Sequence, residues 1–258
     1  KIREAKSLAA YKGLLDAKQL TSIIKKGALT THFQPIVLND EKTIYGYESL
    51  ARGVRDDGSL IMPGILFEMA RQGDMLFYLD RACREVSLKT AAVKNIKTKV
   101  FINFIPTAIY DPNHCLASTV KWAQQLEFDP NNVIFEVVES EHVHDLDHLA
   151  SILDFYKERG FMVALDDVGS GYSSLSMITK LHPDIVKIDR EIIKAIDANR
   201  SNQSVFQAIV DIAKKNEILV LAEGIETAEE VAWCKEHGAN LLQGYYFSRP
   251  APEPVRKL

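Results

Sequence analysis

The sequence predicts an α/β fold in which a single chain forms a modified (β/α)8 TIM-like barrel. Short apolar segments of strand character alternate with helical segments over most of the chain, and this alternation indicates one closed barrel rather than two small domains. The first two strands are joined by a short polar link that is too short for a crossover helix, so we expect an antiparallel opening pair. An open doubly wound sheet is the alternative, but the glycine-rich turn that begins a dinucleotide-binding fold is absent.

The chain divides into a predicted N-terminal leader helix over residues 1–28 and a barrel domain over residues 29–258. The opening strands are predicted at 32–38 and 45–51. Each later strand follows a predicted helix. These helix and strand pairs are 63–92 with 99–104, 116–126 with 133–138, 146–159 with 162–166, a short helix from 173 with 184–188, 201–215 with 218–222, and 228–237 with 240–243.

Charge and cysteine spacing limit the class and location of the protein. The net charge is −4 and no strongly basic face is visible, which argues against a protein that binds duplex nucleic acid. Cys83, Cys115 and Cys234 lie far apart without a CxxC pair, so we expect buried thiols and a cytoplasmic location. The start at Lys1 has neither Met nor a signal peptide, which leaves room for an upstream sensory or signalling domain that could carry a membrane tether.

Polar residues interrupt or end the apolar strands. Because the carboxyl ends of barrel strands form the face that carries active sites, we expect these side chains to meet at one mouth. They are Glu48, Asn103, Glu136, Asp166, Asp167, Lys187, Asp189, Glu223 and Gln243.

Five of the carboxylates would repel one another if they converged, namely Glu48, Glu136, Asp166, Asp167 and Glu223. A single carboxylate at a strand end usually caps a helix, but Glu136 has apolar neighbours on both sides, and a buried, unpaired carboxylate is costly. One lysine cannot balance five carboxylates, whereas divalent cations can. Oxygen ligands without Cys or His favour Mg²⁺ or Mn²⁺, and the adjacent Asp166 and Asp167 suit two ions that share a carboxylate, as in phosphoester hydrolysis.

Eight segments in order resemble the EAL-domain family of cyclic di-GMP phosphodiesterases, over roughly residues 29–253. They are FQPIV at 33–37, YESLAR at 47–52, INFIP at 102–106, FEVVES at 135–140, ALDDVGSGYSSL at 164–175, VKIDR at 186–190, AEGIE at 222–226 and QGYYFSRP at 243–250. The departures from the family pattern are Ser49, Val168 and Ser170. The loss of an aromatic residue at Val168 would affect the rate rather than the type of reaction.

The resemblance implies hydrolysis of the bacterial second messenger cyclic di-GMP to linear pGpG by water that two Mg²⁺ or Mn²⁺ ions activate, with Ca²⁺ inhibitory. It assigns Glu48, Asn103, Glu136 and Asp166 to one ion and Asp166, Asp167 and Glu223 to the other. Lys187, Glu223 and Gln243 would be catalytic, with Lys187 and Gln243 contacting the waters. Whether Lys187 or Glu223 formally accepts the proton stays open.

The resemblance also implies residues that contact substrate or couple the site to a homodimer interface. Gln34, Leu50 and Arg52 match positions that contact the dinucleotide, with Arg52 as a phosphate partner. The loop-coupling residues would be Glu139, Gly169, Ser170 and Gly171. The aromatic residues 245–247 are interpreted as core at the end of the barrel.

Two other functions compete with an active phosphodiesterase. One is a catalytically silent module that binds cyclic di-GMP or another protein through the same face, although such a module would be expected to lack a ligand that this chain retains. The other is a barrel lyase or aldolase in which Lys187 forms a Schiff base. That enzyme would need a desolvated lysine beside few carboxylates.

Overall fold

The computed structural model describes residues 8–138, 145–169 and 174–258, and these form an α/β barrel. Eight strands close the barrel in the order β1-β9-β8-β7-β6-β5-β4-β2, and β2 pairs again with β1. A two-residue strand, β3, extends β2 at the edge. The strands are β1 (Leu29–Leu38), β2 (Ile44–Val54), β3 (Leu60–Ile61), β4 (Lys99–Phe104), β5 (Val133–Val138), β6 (Met162–Val168), β7 (Ile185–Ile188), β8 (Leu219–Ala222) and β9 (Leu241–Leu242).

Strand β1 runs antiparallel to both of its barrel neighbours, β2 and β9. The neighbouring pairs from β2 through β4 to β9 are parallel. The predicted barrel and its antiparallel opening pair are therefore confirmed.

Helices follow the strands along the outside of the barrel. They are α1 (Leu8–Lys25), α2 (Pro63–Gln72), α3 (Leu76–Val93), α4 (Pro112–Cys115), α5 (Ala117–Gln125), α6 (Leu146–Lys157), α7 (Ser174–Leu181), α8 (Arg190–Ile193), α9 (Arg200–Lys215) and α10 (Ala228–Glu236). The prediction of one helix over 63–92 is wrong. Gly73 closes α2 with its N–H bonded to Met69 O, and Asp74 takes a φ of 53°, which turns the chain into α3.

Alternation along the strands divides the apolar residues between two sides of the sheet. A separate cluster of buried residues, the inner layer, comes from seven barrel strands and comprises Ile36, Phe101, Ile134, Ala164, Ile185, Leu221 and Leu241. Each of these lies two residues from one of the polar side chains singled out above. Since residues i and i+2 share a face of a strand, the polar side chains form the next layer of the barrel interior.

Helix α1 packs beside α2 rather than projecting from the barrel. Leu20 and Ile23 are buried in one cluster with Leu66 and Met69, and a Cβ added at Gly73 would lie 3.0 Å from the Ala17 side chain. The division at residue 28 stays a prediction. None of the helices within the described ranges is long and apolar enough to cross a membrane. All three cysteines are buried free thiols.

Candidate active site

The Lys187 side chain lies at the centre of the polar layer. It is 1% exposed, and its Nζ lies 2.6 Å from Glu136 Oε1, 2.8 Å from Glu223 Oε1 and 3.1 Å from Asp166 Oδ1. Glu48 Oε1 lies 4.0 Å from the same atom. The structure therefore brings together four carboxylates from four different strands around one ammonium group.

The charges of this cluster do not balance, and the pKa values of its members reflect that. Burial raises the pKa of Glu136 well above its ordinary value, and Glu48 and Asp166 add to the rise although Lys187 opposes it. Burial likewise raises the pKa of Glu223 well above its ordinary value. Burial alone would lower the pKa of Lys187, but the surrounding carboxylates outweigh it and hold the pKa well above the usual range. The site therefore has an excess of negative charge that a further cation would relieve.

Two amide side chains join the carboxylates. Asn103 Nδ2 donates to Glu48 Oε1 at 3.2 Å and to Glu136 Oε2 at 3.0 Å, in keeping with the pairing of Asn103 and Glu136 on β4 and β5. Gln243 Nε2 donates to Glu48 Oε2 at 2.6 Å and to Gln34 Oε1 at 3.2 Å. Gln243 Oε1 is buried and has no hydrogen-bond partner among the described residues, so it can accept from a water molecule or a ligand.

The end of β6 presents two consecutive carboxylates in different directions. The pairing with β7 shifts between Leu165 and Val168, and Asp167 takes a φ of 56°. Asp167 N donates to Asp166 Oδ1 at 2.9 Å. Because of this irregularity both side chains face the mouth. One carboxylate oxygen from each of Asp166, Asp167 and Glu223 lies within 4.8 Å of the other two.

Asp167 is half-buried, as is Glu223. Burial raises its pKa to about 7, and Asp166 and Asp189 add to the rise while Lys187 opposes it. Asp189 also caps α8 by accepting from Glu191 N at 2.7 Å. The side chain of Asp167 is therefore poised between its protonated and charged forms near neutral pH in the metal-free protein.

Two cavities open beside the carboxylates. One has a volume of about 330 Å³ and is bounded by Leu50, Phe67, Arg71 and Asn103 among others. The other has a volume of about 230 Å³. Its lining residues are Gln34, Glu48, Asp167, Asp189, Arg190, Glu223, Gly224, Glu226, Gln243, Gly244 and Tyr245. Asn103 borders the first cavity, and Glu48, Asp167 and Glu223 border the second.

The three residues predicted to contact substrate lie at this mouth. Leu50 faces the first cavity. Arg52 follows Glu48 and Leu50 on the same face of β2, and its Nη1 donates to Ala51 O at 2.9 Å. Burial lowers the pKa of Arg52, and Glu48 opposes that effect. Gln34 donates to Ser248 O at 3.1 Å, so it also anchors the segment that follows β9.

Three residues that line the second cavity were not predicted as site residues from the sequence, namely Arg190, Glu226 and Tyr245. Arg190 Nη2 lies 2.7 Å from Glu226 Oε1, and Tyr245 lies beside them, with the Arg249 guanidinium 4.2 Å from the centre of its ring. Tyr245 and Tyr246 are 47% and 43% exposed, so the interpretation of residues 245–247 as core is wrong for these two. The motifs VKIDR and QGYYFSRP contain Arg190 and Tyr245, but nothing in the strand pattern marks residues beyond a strand end.

Close backbone packing fixes the ends of β8 and β9. A Cβ at Gly244 would lie 2.0 Å from Ile225 O and 2.3 Å from Ile225 N, and one at Gly224 would lie 2.5 Å from the Arg190 side chain. Only glycine fits at either position. These contacts fix the backbone next to Gln243 and Glu223.

The predicted coupling loop is described only in part. Gly169 takes a φ of 101° and packs against Ile192. Glu139, Ser170 and Gly171 lie outside the described residues, so their predicted role stays a prediction.

Comparisons with known proteins identify relatives of this chain. The profile of the EAL domain family matches residues 17–250. The chain is 30% identical over 238 residues to the probable cyclic di-GMP phosphodiesterase PdeG of Escherichia coli K12, and the match covers 90% of this chain and 46% of that protein. The chain thus spans less than half the length of this relative.

Solved structures share the fold. A standalone versatile EAL protein from Vibrio cholerae O395, in its c-di-GMP-bound form, is 35% identical with a TM-score of 0.80, covering 89% of this chain and 95% of that one. BlrP1 of Klebsiella pneumoniae, solved as a manganese and cyclic di-GMP complex, is 28% identical with a TM-score of 0.79, covering 87% and 56% of the two chains. BlrP1 has also been solved with calcium and cyclic di-GMP.

Proposed function

This chain belongs to the EAL domain family, and from that premise we propose that it is a divalent-cation-dependent phosphodiesterase that hydrolyses cyclic di-GMP to linear pGpG. The observation that carries the proposal is the cluster of carboxylates from separate strands around one ammonium group at the mouth of the barrel. Relatives that act on or bind cyclic di-GMP, as their names state, support the choice of substrate.

The donor set fits divalent cations that prefer oxygen ligands. Among the residues that the structure describes, the side chains converging here offer carboxylate and amide oxygens and no sulfur or imidazole, which suits Mg²⁺ or Mn²⁺. We assign Glu48, Asn103, Glu136 and Asp166 to one ion and Asp166, Asp167 and Glu223 to a second. Asn103 now directs Nδ2 to the carboxylates, so ligation by this residue requires its amide to turn over and present Oδ1.

The bound cations would supply activation of water and neutralisation of charge on the phosphodiester. In the reaction one water molecule adds to phosphorus and one P–O3′ bond breaks, which leaves a 5′-phosphate and a 3′-hydroxyl. Lys187, held by three carboxylates, can donate a hydrogen bond to the reacting oxygen. Gln243 Oε1 is available to accept from the water and orient it.

The proton of the attacking water passes to one of two neighbouring groups, Glu223 or Lys187. Their side chains are 2.8 Å apart, so a proton on either one is shared through a short contact. Glu223 can accept the proton directly, whereas Lys187, whose pKa is held well above its usual range, can do so only after its own proton has passed to a neighbouring carboxylate.

Two cavities border the residues of this site, one at Asn103 and one at Glu48, Asp167 and Glu223, and they support a substrate with two bases joined through phosphates. Arg52 is the proposed phosphate partner, since a guanidinium can pair with two phosphate oxygens at once. Leu50 borders the cavity of about 330 Å³, and Tyr245 borders the cavity of about 230 Å³ with an exposed ring. We propose that each cavity takes one guanine.

The test is the incubation of purified protein with cyclic di-GMP in Mg²⁺, Mn²⁺, Ca²⁺ or EDTA, followed by chromatography of the nucleotides. We expect pGpG in Mg²⁺ and Mn²⁺ and none in EDTA. Tight binding without product in any metal would instead support the silent receptor. Trapping of a substrate adduct on Lys187 by borohydride would support the lyase. Homodimer formation, a cytoplasmic location and an upstream signalling domain stay predictions.

A further inference from the structure

Helix α3 carries an ion pair that is buried behind the site. Asp80 is 2% exposed and Arg84 is fully buried, one helical turn later, and Arg84 Nη2 lies 2.8 Å from Asp80 Oδ2. Burial disfavours the charged guanidinium, but the Asp80 carboxylate and the Tyr156 hydroxyl together outweigh this effect and raise the pKa of Arg84. Two charges removed from water in this way are costly to a fold unless they also satisfy other polar groups.

The second oxygen of Asp80 reaches the strand that bears Asn103. Asp80 Oδ1 accepts from Ile105 N at 2.9 Å, and Ile105 is the first residue after β4. Asn103, two residues earlier, donates to both Glu48 and Glu136. The Asp80 carboxylate therefore holds the point at which β4 leaves the sheet, immediately beyond Asn103.

Arg84 connects this contact to two further helices. Its Nη1 donates to Thr119 Oγ1 on α5 at 3.0 Å and to Tyr156 Oη on α6 at 3.3 Å. The Tyr156 ring stacks on Phe135, with ring centres 3.8 Å apart, and Phe135 precedes Glu136. The ion pair is thus connected to both strands that carry site residues, to β4 with Asn103 through Ile105 and to β5 with Glu136 through Tyr156 and Phe135.

We propose that Asp80 is a positioning residue for the cation site, acting through its hydrogen bond to Ile105 N. This inference rests on the proposed function. A carboxylate is required because it has two oxygens, one for the guanidinium and one for the backbone N–H. Partners behind metal ligands commonly change metal affinity by about 10- to 100-fold when they are removed.

The first experiment measures Mn²⁺ binding by calorimetry in wild type and Asp80→Asn. The asparagine amide replaces one carboxylate oxygen with an NH2 donor, so only one of the two contacts, to Arg84 or to Ile105 N, keeps an acceptor. We expect Mn²⁺ affinity to fall about 10-fold. In the turnover assay we expect the Mn²⁺ concentration for half-maximal activity to rise by a similar factor.

A second variant separates positioning from stability. In Asp80→Asn combined with Arg84→Met the guanidinium is gone, so the amide oxygen is free to accept from Ile105 N. We expect this double variant to recover Mn²⁺ affinity to within about 3-fold of wild type, whatever its melting temperature. Since buried ion pairs can often be replaced by apolar groups without loss of stability, the double variant also serves if Asp80→Asn alone does not fold.

Two control variants test whether the loss of Mn²⁺ affinity is specific to the contact between Asp80 and Ile105. Glu85→Gln removes the exposed ion pair between Arg81 and Glu85, which has the same spacing on the same helix. Tyr156→Phe removes one partner of Arg84 and leaves the Ile105 contact in place. We expect Mn²⁺ affinity to be unchanged in the first, and to fall by less than 2-fold in the second even if its melting temperature drops.

The outcomes distinguish this inference from the proposed function. If wild type hydrolyses cyclic di-GMP but folded Asp80→Asn binds Mn²⁺ like wild type, the positioning role is overturned and the function stands. If the double variant folds and binds as weakly as Asp80→Asn, the role of the Ile105 hydrogen bond is overturned. If wild type neither binds Mn²⁺ nor hydrolyses the substrate, both proposals fail.

Discussion

Substitution of Asp167 by asparagine should stabilise the metal-free protein and weaken its response to metal. Asp167 has a φ of 56°, and Asn tolerates this left-handed conformation as well as any residue except Gly. The backbone should therefore be retained, and the change removes only a charge. In the folded protein burial and the neighbouring carboxylates raise the pKa of Asp167 to about 7, against about 3.9 in an unfolded chain.

The sign and size of the effect follow from that difference. The folded state holds this proton more tightly than the unfolded state. The free energy of unfolding therefore falls as pH rises from about 4 to about 7, and the loss is complete above about 7. This difference of about three between the two pKa values corresponds to about 4 kcal/mol before solvent screening is taken into account. The side chain is only half-buried, so screening reduces the expected gain of the asparagine variant to about 1–2 kcal/mol.

The assay is thermal unfolding in EDTA and in Mn²⁺. For a chain of this size, 1–2 kcal/mol corresponds to roughly 2–8 °C in melting temperature. We expect the variant to melt higher than wild type in EDTA at pH 8, to melt like wild type at pH 4, and to gain less from Mn²⁺. Asp154→Asn, at an exposed position on α6, is the control. A lower melting temperature in EDTA at pH 8, or equal stabilisation of both proteins by Mn²⁺, would refute the reasoning.

Three further predictions concern the same mouth. Glu48→Ala should abolish turnover and leave a folded protein, as checked by chromatography and circular dichroism, with exposed Glu158→Ala as control; full activity would remove Glu48 from the cation site. Gly244→Ala should lower the free energy of unfolding by about 3 kcal/mol or more, measured in urea, because its Cβ would overlap Ile225 backbone atoms; a neutral effect would contradict the packing described. Calcium should permit binding of cyclic di-GMP but suppress hydrolysis, because its larger radius and looser geometry suit the reaction poorly; full turnover in Ca²⁺ alone would argue against two-cation catalysis.

The barrel and its polar layer were accessible from the sequence because strand geometry is periodic. Glu136 stands two residues after Ile134 and Asp166 two residues after Ala164, so a reader who recognises the strands also knows which side chains share a face. The parallel pairing then places those side chains at neighbouring heights. Convergence of the carboxylates follows from these local rules.

Features that depend on packing between distant segments were not accessible. The pairs Asp80–Arg84 and Arg81–Glu85 have the same i, i+4 spacing, but the first is buried and the second lies at the surface. The exposure of Tyr245 likewise depends on how the segment after β9 lies over the mouth. Charge and spacing alone do not distinguish these cases, because burial is set by the elements that pack against a helix or loop.

The most direct test of the cation site is anomalous diffraction from crystals of the protein soaked in Mn²⁺. We expect two peaks that share Asp166, one near Glu48 and Glu136 and the other near Asp167 and Glu223. A single peak elsewhere, or no peak at Mn²⁺ concentrations that support hydrolysis, would contradict the assignment of these carboxylates as ligands.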